Sequence, residues 1–301
     1  MKLSKEAFAL AREFIHKNAR PLDRALFAYL FEEGPRKAVV QELSKFQNSD
    51  GGFGNALEPD FRLKSSSPMA TSVGLQYCKV IEASADEEIV AQAIQYLLSS
   101  YDHEHGYWPN TSLEVNNVPH APWWHIEEVK PPSEESWANP SAELAGYIHR
   151  HKSLVPNDFI VNLNRRIQTN IESSEYIDGL YKVMCWERVY REFLEPLQSK
   201  VFEKIRKTFE KIAPLKQEDL GEIRILWLAP DSDAILLSYP ENVYNLIHRE
   251  MEKQSDDGGW WPTWKWGQYE DVWPIAEKEW AGKITLDCLR ALTDLINLRE
   301  G

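Results

Sequence analysis

The chain is short of cysteine, short of positive charge and free of long apolar runs, and each shortage removes a class of protein. Only Cys78, Cys185 and Cys288 occur in 301 residues. An odd number of thiols in apolar, helix-like contexts suits reduced cysteines packed as small hydrophobes, and no Cys-x-x-Cys pair offers a zinc site. Lys and Arg number 34 against 47 Asp and Glu, a formal charge of −13. No nucleic-acid partner and no anionic membrane partner is therefore expected. Without a run of eighteen apolar residues, no membrane span is expected either. The first residues, Met1-Lys2-Leu3-Ser4-Lys5-Glu6, lead into an amphipathic pattern rather than an apolar signal core, which with the reduced thiols predicts a cytoplasmic protein. No Ser/Gly-rich linker divides residues 1–301, so one domain is expected.

What the chain does have is a hydrophobic content of 43% with 12% aromatics, ample for a large core and incompatible with disorder. It also repeats itself. Gln47-Asn48-Ser49-Asp50-Gly51-Gly52-Phe53-Gly54, Tyr101-Asp102-His103-Glu104-His105-Gly106-Tyr107-Trp108 and Gln254-Ser255-Asp256-Asp257-Gly258-Gly259-Trp260-Trp261 each end a helical segment in an acidic turn, a glycine and an aromatic. Gly52 to Gly106 is 54 residues, and Gly106 to Gly259 is 153, close to three intervals of 51. Weaker copies are expected near residues 157 and 208, where Val155-Pro156-Asn157-Asp158 and Ala213-Pro214-Leu215-Lys216 break the apolar periodicity. A period of about 51 residues holds two helices and two connectors, so six helical hairpins are predicted.

Helical periodicity places segments at 4–18, 22–33 and about 35–46, the last paired with one beginning near Pro68. Further pairs are expected at 86–100 with 139–152, 157–173 with 178–193, 196–212 with 219–236, and 240–254 with 278–298. The second members carry small residues near their starts, such as Gly74, Gly146 and Gly282, which permit close helix approach.

The turns at Phe46–Gly54 and Gln254–Trp261 resemble the Gln…Gly-x-Trp repeats of squalene and terpene cyclases and of protein prenyltransferase β-subunits. That resemblance implies an all-α fold, an α/α toroid with inner and outer rings of helices. It brings no catalytic set with it. The family's Asp-x-Asp-Asp acid has as nearest counterpart Asp231-Ser232-Asp233-Ala234, which lacks the third acid, and Asp287 and Cys288 are adjacent where the zinc enzymes separate these ligands. Neither a metal nor another cofactor is expected.

The connectors at 48–67, 101–138 and 255–279 carry ten of the twelve tryptophans within them or at their borders. Loops of this kind, on a rigid scaffold, are where function concentrates. The candidate catalytic groups are Glu58, Asp60, His125 and Glu143, because carboxylates and a histidine on facing loops can act as acid and base. The candidate substrate contacts are Asn55, Arg62, His120, Trp123, Trp124, Trp137, Trp261, Trp264, Trp266, Asp271 and Trp280. A small-molecule substrate is expected, isoprenoid or carbohydrate-like, since aromatic faces stabilise carbocations and also stack on sugar rings. The three readings are a cyclase- or prenyltransferase-like enzyme, a carbohydrate-active hydrolase or lyase with a carboxylate pair, and a non-catalytic ring that binds a ligand or peptide.

Overall fold

A computed structural model describes residues 3–212 and 248–300. The expected break at 213–216, the expected helix at 219–236 and the Asp231–Ala234 string lie outside the described residues. Among the described residues the protein is all-helical, with no strand and three isolated bridges, Gln47 with Phe53, Phe61 with His120, and Asp102 with Tyr107. Two compact units are distinguished, residues 1–42 with 209–301 and residues 43–208.

In the first unit, α1 (Lys5–Asn18) begins at Ser4, whose Oγ accepts from the Ala7 N–H at 3.0 Å. Its apolar stripe of Ala11, Phe14 and Ile15 is buried. α2 (Pro21–Phe31) starts on Pro21, where the missing N–H costs nothing, and buries Leu22, Leu26 and Phe27. α3 (Arg36–Leu43) runs to the boundary between the units. Residues 248–252 end another helix ahead of the turn at 255–260.

The second unit contains α4 (Pro68–Val80), α5 (Glu88–Ser99), α6 (Ala138–Arg150), α7 (Asn157–Glu172) and α8 (Leu180–Glu187), and α9 (Leu197–Ile212) runs from it across the boundary after Thr208. α10 (Trp273–Glu300) closes the chain and belongs to the first unit. It starts five residues before the expected 278, since Pro274 is accommodated in a first helical turn. α8 is shorter than the expected 178–193. Gly179 at φ 98° starts it, and Val189 at φ −133° leaves the helical region after it. The break near 157 is a 3₁₀ turn at Lys152–Leu154 joining α6 to α7.

The first and third glycine turns are one structure repeated, and the second is a residue longer, closing with Asp102 N–H on Tyr107 O at 2.9 Å and Gly106 N–H on Asp102 O at 2.8 Å. In the first, Asn48 N–H donates to Gly52 O at 2.8 Å and Gly51 N–H to Asn48 O at 2.9 Å, and in the third Ser255 and Gly258 make the same two bonds at 2.9 and 2.8 Å. Asp50 and Asp257 each accept from the N–H two residues on, at 3.0 Å. The Gln47 amide donates to Gly51 O and Ile89 O, both at 2.9 Å, so the first turn is pinned to the start of α5. Gln254 does the same to Gly258 O and Ala7 O, at 3.0 and 2.9 Å, pinning the third turn to α1. Each turn is also tied to the helix that follows its connector. Phe53, Trp108 and Trp260 donate their backbone N–H to Thr71 Oγ1, Ser141 Oγ and Thr285 Oγ1, at 3.0, 3.1 and 2.9 Å.

The small residues do what their size suggests. A Cβ on Gly146 would lie 2.2 Å from Val189, one on Gly74 2.6 Å from the Phe53 ring, and one on Gly282 2.7 Å from Ala19. Among the described residues no helix is long and apolar enough to cross a membrane.

Candidate functional site

In the second unit the first connector is laid against the second. Arg62 N–H donates to Pro119 O at 2.9 Å and Ala121 N–H to Asp60 O at 2.7 Å, flanking the Phe61–His120 bridge. These bonds bring Glu58, Asp60, Arg62, His120, Trp123, Trp124 and His125 into one region. Glu58 and Asp60 are buried, and Glu58 Oε1 accepts from the Asp60 N–H at 3.2 Å. His120 is also buried, and its Nδ1 lies 2.6 Å from Val118 O, which fixes the proton on Nδ1. The exposed His125 ring stacks on His120 at 5.7 Å. Phe61 meets Trp124 edge-on at 5.0 Å. Asn55, at φ 54°, turns back and donates to Asn48 Oδ1 at 3.0 Å, bracing the first turn.

Trp124 also lines a cavity of about 200 Å³ whose wall includes Tyr107, Trp108, Asn110, Thr111, Trp123, Asn139 and Ser141. One side of its mouth is formed by Glu128, Val129, Lys130 and Pro132. Two wall residues carry polar atoms that are closed off from solvent and make no hydrogen bond, Thr111 Oγ1 and Trp124 Nε1. Such a buried, unmade bond costs about 1–3 kcal/mol. A ligand or water reaching both atoms would recover that cost.

Glu143 does not line that cavity. It is 2% exposed and saturated by three donors, with Gln76 Nε2 and Tyr147 Oη on Oε1, both at 2.8 Å, and Arg188 Nη1 on Oε2 at 2.9 Å. Burial, reinforced by the Glu143 charge, pushes the Tyr147 hydroxyl well above its usual range, so it stays a donor. Trp137 is wholly buried, donates from Nε1 to Gly106 O at 2.7 Å, and carries the Arg166 guanidinium 4.6 Å over its ring.

The remaining candidates belong to the first unit. Trp261 meets Phe14 edge-on at 5.6 Å and donates to Asp257 Oδ2 at 3.1 Å. Trp264 meets Trp280 at 5.3 Å, and the buried Trp266 packs on Trp273 at 5.4 Å. Asp271 is exposed. Among the described residues no group of three or more His, Cys, Asp or Glu is arranged to hold a metal ion.

Asn110, Thr111, Asn139 and Ser141 are polar cavity residues that the candidate set lacks. A signal for the first two exists: since Trp108 stands where Phe53 stands, Asn110 and Thr111 are the counterparts of Asn55 and Ala56 in the run after the first turn. Compared with known proteins, the chain matches no family model, no curated protein and no solved structure.

Proposed function

We propose that the hairpins close into an α/α toroid resembling terpenoid cyclases, and that the protein binds a small, neutral, hydroxyl-rich ring compound, a saccharide by its chemistry. Ring closure is supported inside the first unit. The third turn docks on α1, the first helix of the chain, through the same glutamine bonds by which the first turn docks on α5. The helix that opens the chain thus stands where the next repeat would begin.

The observation that carries the ligand is the pair Trp124 Nε1 and Thr111 Oγ1. An indole N–H needs an acceptor and a threonine hydroxyl takes either role. A sugar hydroxyl offers both, and the exposed Trp123 offers an apolar ring beside it. A volume of about 200 Å³ lies below the usual range of about 300–1,000 Å³ for larger ligands, which suits a single ring. An isoprenoid diphosphate is the poorer fit, because the described wall holds one cation, Lys130, offset by Glu128. With one carboxylate on that wall, no hydrolytic pair is assigned, and binding is the reading.

Titration of the purified protein with neutral mono- and disaccharides, followed by calorimetry and thermal shift, tests this. The expected result is a saturable rise in Tm that Trp124→Phe, which keeps the ring and removes the N–H, weakens about tenfold. A rise with isoprenoid diphosphates and none with saccharides would overturn the reading.

A further inference from the structure

A second constellation lies on α4, α6 and α8 of the second unit, and none of its residues lines the cavity. Glu143, Tyr147 and Arg150 form one stripe of α6, Gln76 and Lys79 one stripe of α4, and Arg188 and Glu192 follow α8. They meet in two layers. In the first, Gln76, Glu143 and Arg188 are joined and the charges cancel. In the second, Lys79 and Arg150 share the single carboxylate of Glu192. Arg150 Nη1 lies 3.1 and 3.3 Å from its two oxygens, while Lys79 Nζ stands off at 3.6 Å. Lys79 Nζ also donates to Arg188 O, which holds the ammonium in place.

We infer that this second layer is a binding site for a small oxyanion, a carboxylate or phosphate group, held between Lys79 and Arg150. The charge count supports it. Three cations face two carboxylates and leave one positive charge over, on a chain whose net charge is −13. The placement supports it too. The Lys79 and Arg150 side chains are 25% and 27% exposed, low enough to weaken screening and high enough for a solute to reach them. Both keep N–H groups beyond those used: Arg150 bonds Glu192 through Nη1 alone, and the Lys79 ammonium has three N–H groups, one of them on Arg188 O. An oxyanion between Lys79 and Arg150 would compete with Glu192, whose long contact to Lys79 is the weakest of the set.

The test uses the whole protein at constant ionic strength, replacing chloride by phosphate in one arm and by acetate in the other, with binding read by calorimetry and Tm. Saturable binding of either anion is expected, phosphate-specific saturation marking a phosphate site and saturation by both a general carboxylate site. Lys79→Met should weaken it about tenfold and Glu192→Gln, which removes the competing carboxylate, should tighten it. Circular dichroism would confirm that both variants fold, and Lys79→Arg should restore binding. The same non-saturating response in wild type, Lys79→Met and Glu192→Gln would overturn the site.

Discussion

Trp108 and Trp260 make the same bond at equivalent points of two repeats. Each indole Nε1 donates at 2.7 Å to a carbonyl of the preceding helix or its end, Leu97 O for Trp108 and Glu250 O for Trp260. Both rings are buried, at 1% and 0% exposure, and Phe53 occupies the corresponding place in the first turn without a donor. The aromatic of each turn is thus a plug that seals the end of a helix. In two of the three cases its indole N–H also adds a second donor to a last-turn carbonyl, beside Ser100 Oγ on Leu97 O and the Lys253 N–H on Glu250 O.

Because Phe53 shows that the position accepts phenylalanine, Trp108→Phe and Trp260→Phe should fold. Each should lose about 1–2 kcal/mol from the lost indole bond and the smaller ring, the carbonyl keeping its other donor. Urea unfolding would measure this, and a loss well below that range in both would show that the indole bonds do not hold the turns.

The turns are legible in the sequence because every residue in them acts locally. An acid caps the N–H two residues on, a glycine takes the left-handed backbone, and an aromatic follows. Helix positions were legible for the same reason, from periodicity over a dozen residues. The cavity was not, because it forms where residues 107–111, 123–132 and 139–141 meet, and no local pattern announces that meeting. Nor does a tryptophan declare its surroundings: Trp123 is 52% exposed while Trp137, fourteen residues on, is wholly buried. Glu143 shows the limit most clearly, since a carboxylate near a helix start reads equally as a catalytic acid or as the hub of three hydrogen bonds.

The turn glycines make a sharper test of the repeat. Gly51 at φ 87° and Gly258 at φ 89° lie where L-residues are strained, and a Cβ would stand 2.3 Å from Gln92 O and from Leu10 O respectively. Gly51→Ala and Gly258→Ala should each cost about 1–3 kcal/mol in backbone strain, with more from the overlap. Gly267, at φ 66° with nothing within 4 Å of its Cβ position, should show the strain alone when replaced by alanine. Equal losses at all three positions would mean that packing against α5 and α1 adds nothing.

Acid should destabilise the second unit through the end of α6. Burial, helped by the neighbouring Arg150 charge, lowers His151 from 6.5 to about 4, and burial also lowers His149. The unfolded chain therefore binds more protons between these values, so the stability from a neutral His151 is complete above about pH 6.5 and lost as pH falls toward 4. The full loss from His151 alone is about 3 kcal/mol. Unfolding free energies of wild type and His151→Gln should converge as pH is lowered through this window. Parallel pH profiles would show that His151 titrates no differently in the folded protein.

The last prediction concerns access to the cavity. Thr111 Oγ1 and Trp124 Nε1 are closed off from solvent, so a ligand can reach them only if part of the wall shifts. The part suited to move is the run 127–132, exposed as far as Pro131, which supplies Glu128, Val129, Lys130 and the half-buried Pro132 to the mouth. It hangs between two posts. At one, the Asn116 amide grips Ile126, donating to its carbonyl at 2.6 Å and accepting from its N–H at 3.0 Å. At the other, Glu134 is held by Arg166 and by Asn170, each at 3.0 Å. Asn116→Ala removes the first post by a change at a residue that does not itself line the cavity. Hydrogen exchange should then show the Ile126 amide losing at least about tenfold in protection, with the helices α4 to α7 unchanged. Saccharide association should become faster in the same variant, because the closed wall is the barrier to entry. An Ile126 amide that exchanges alike in wild type and variant would mean that the Asn116 bonds are not what hold the run in place.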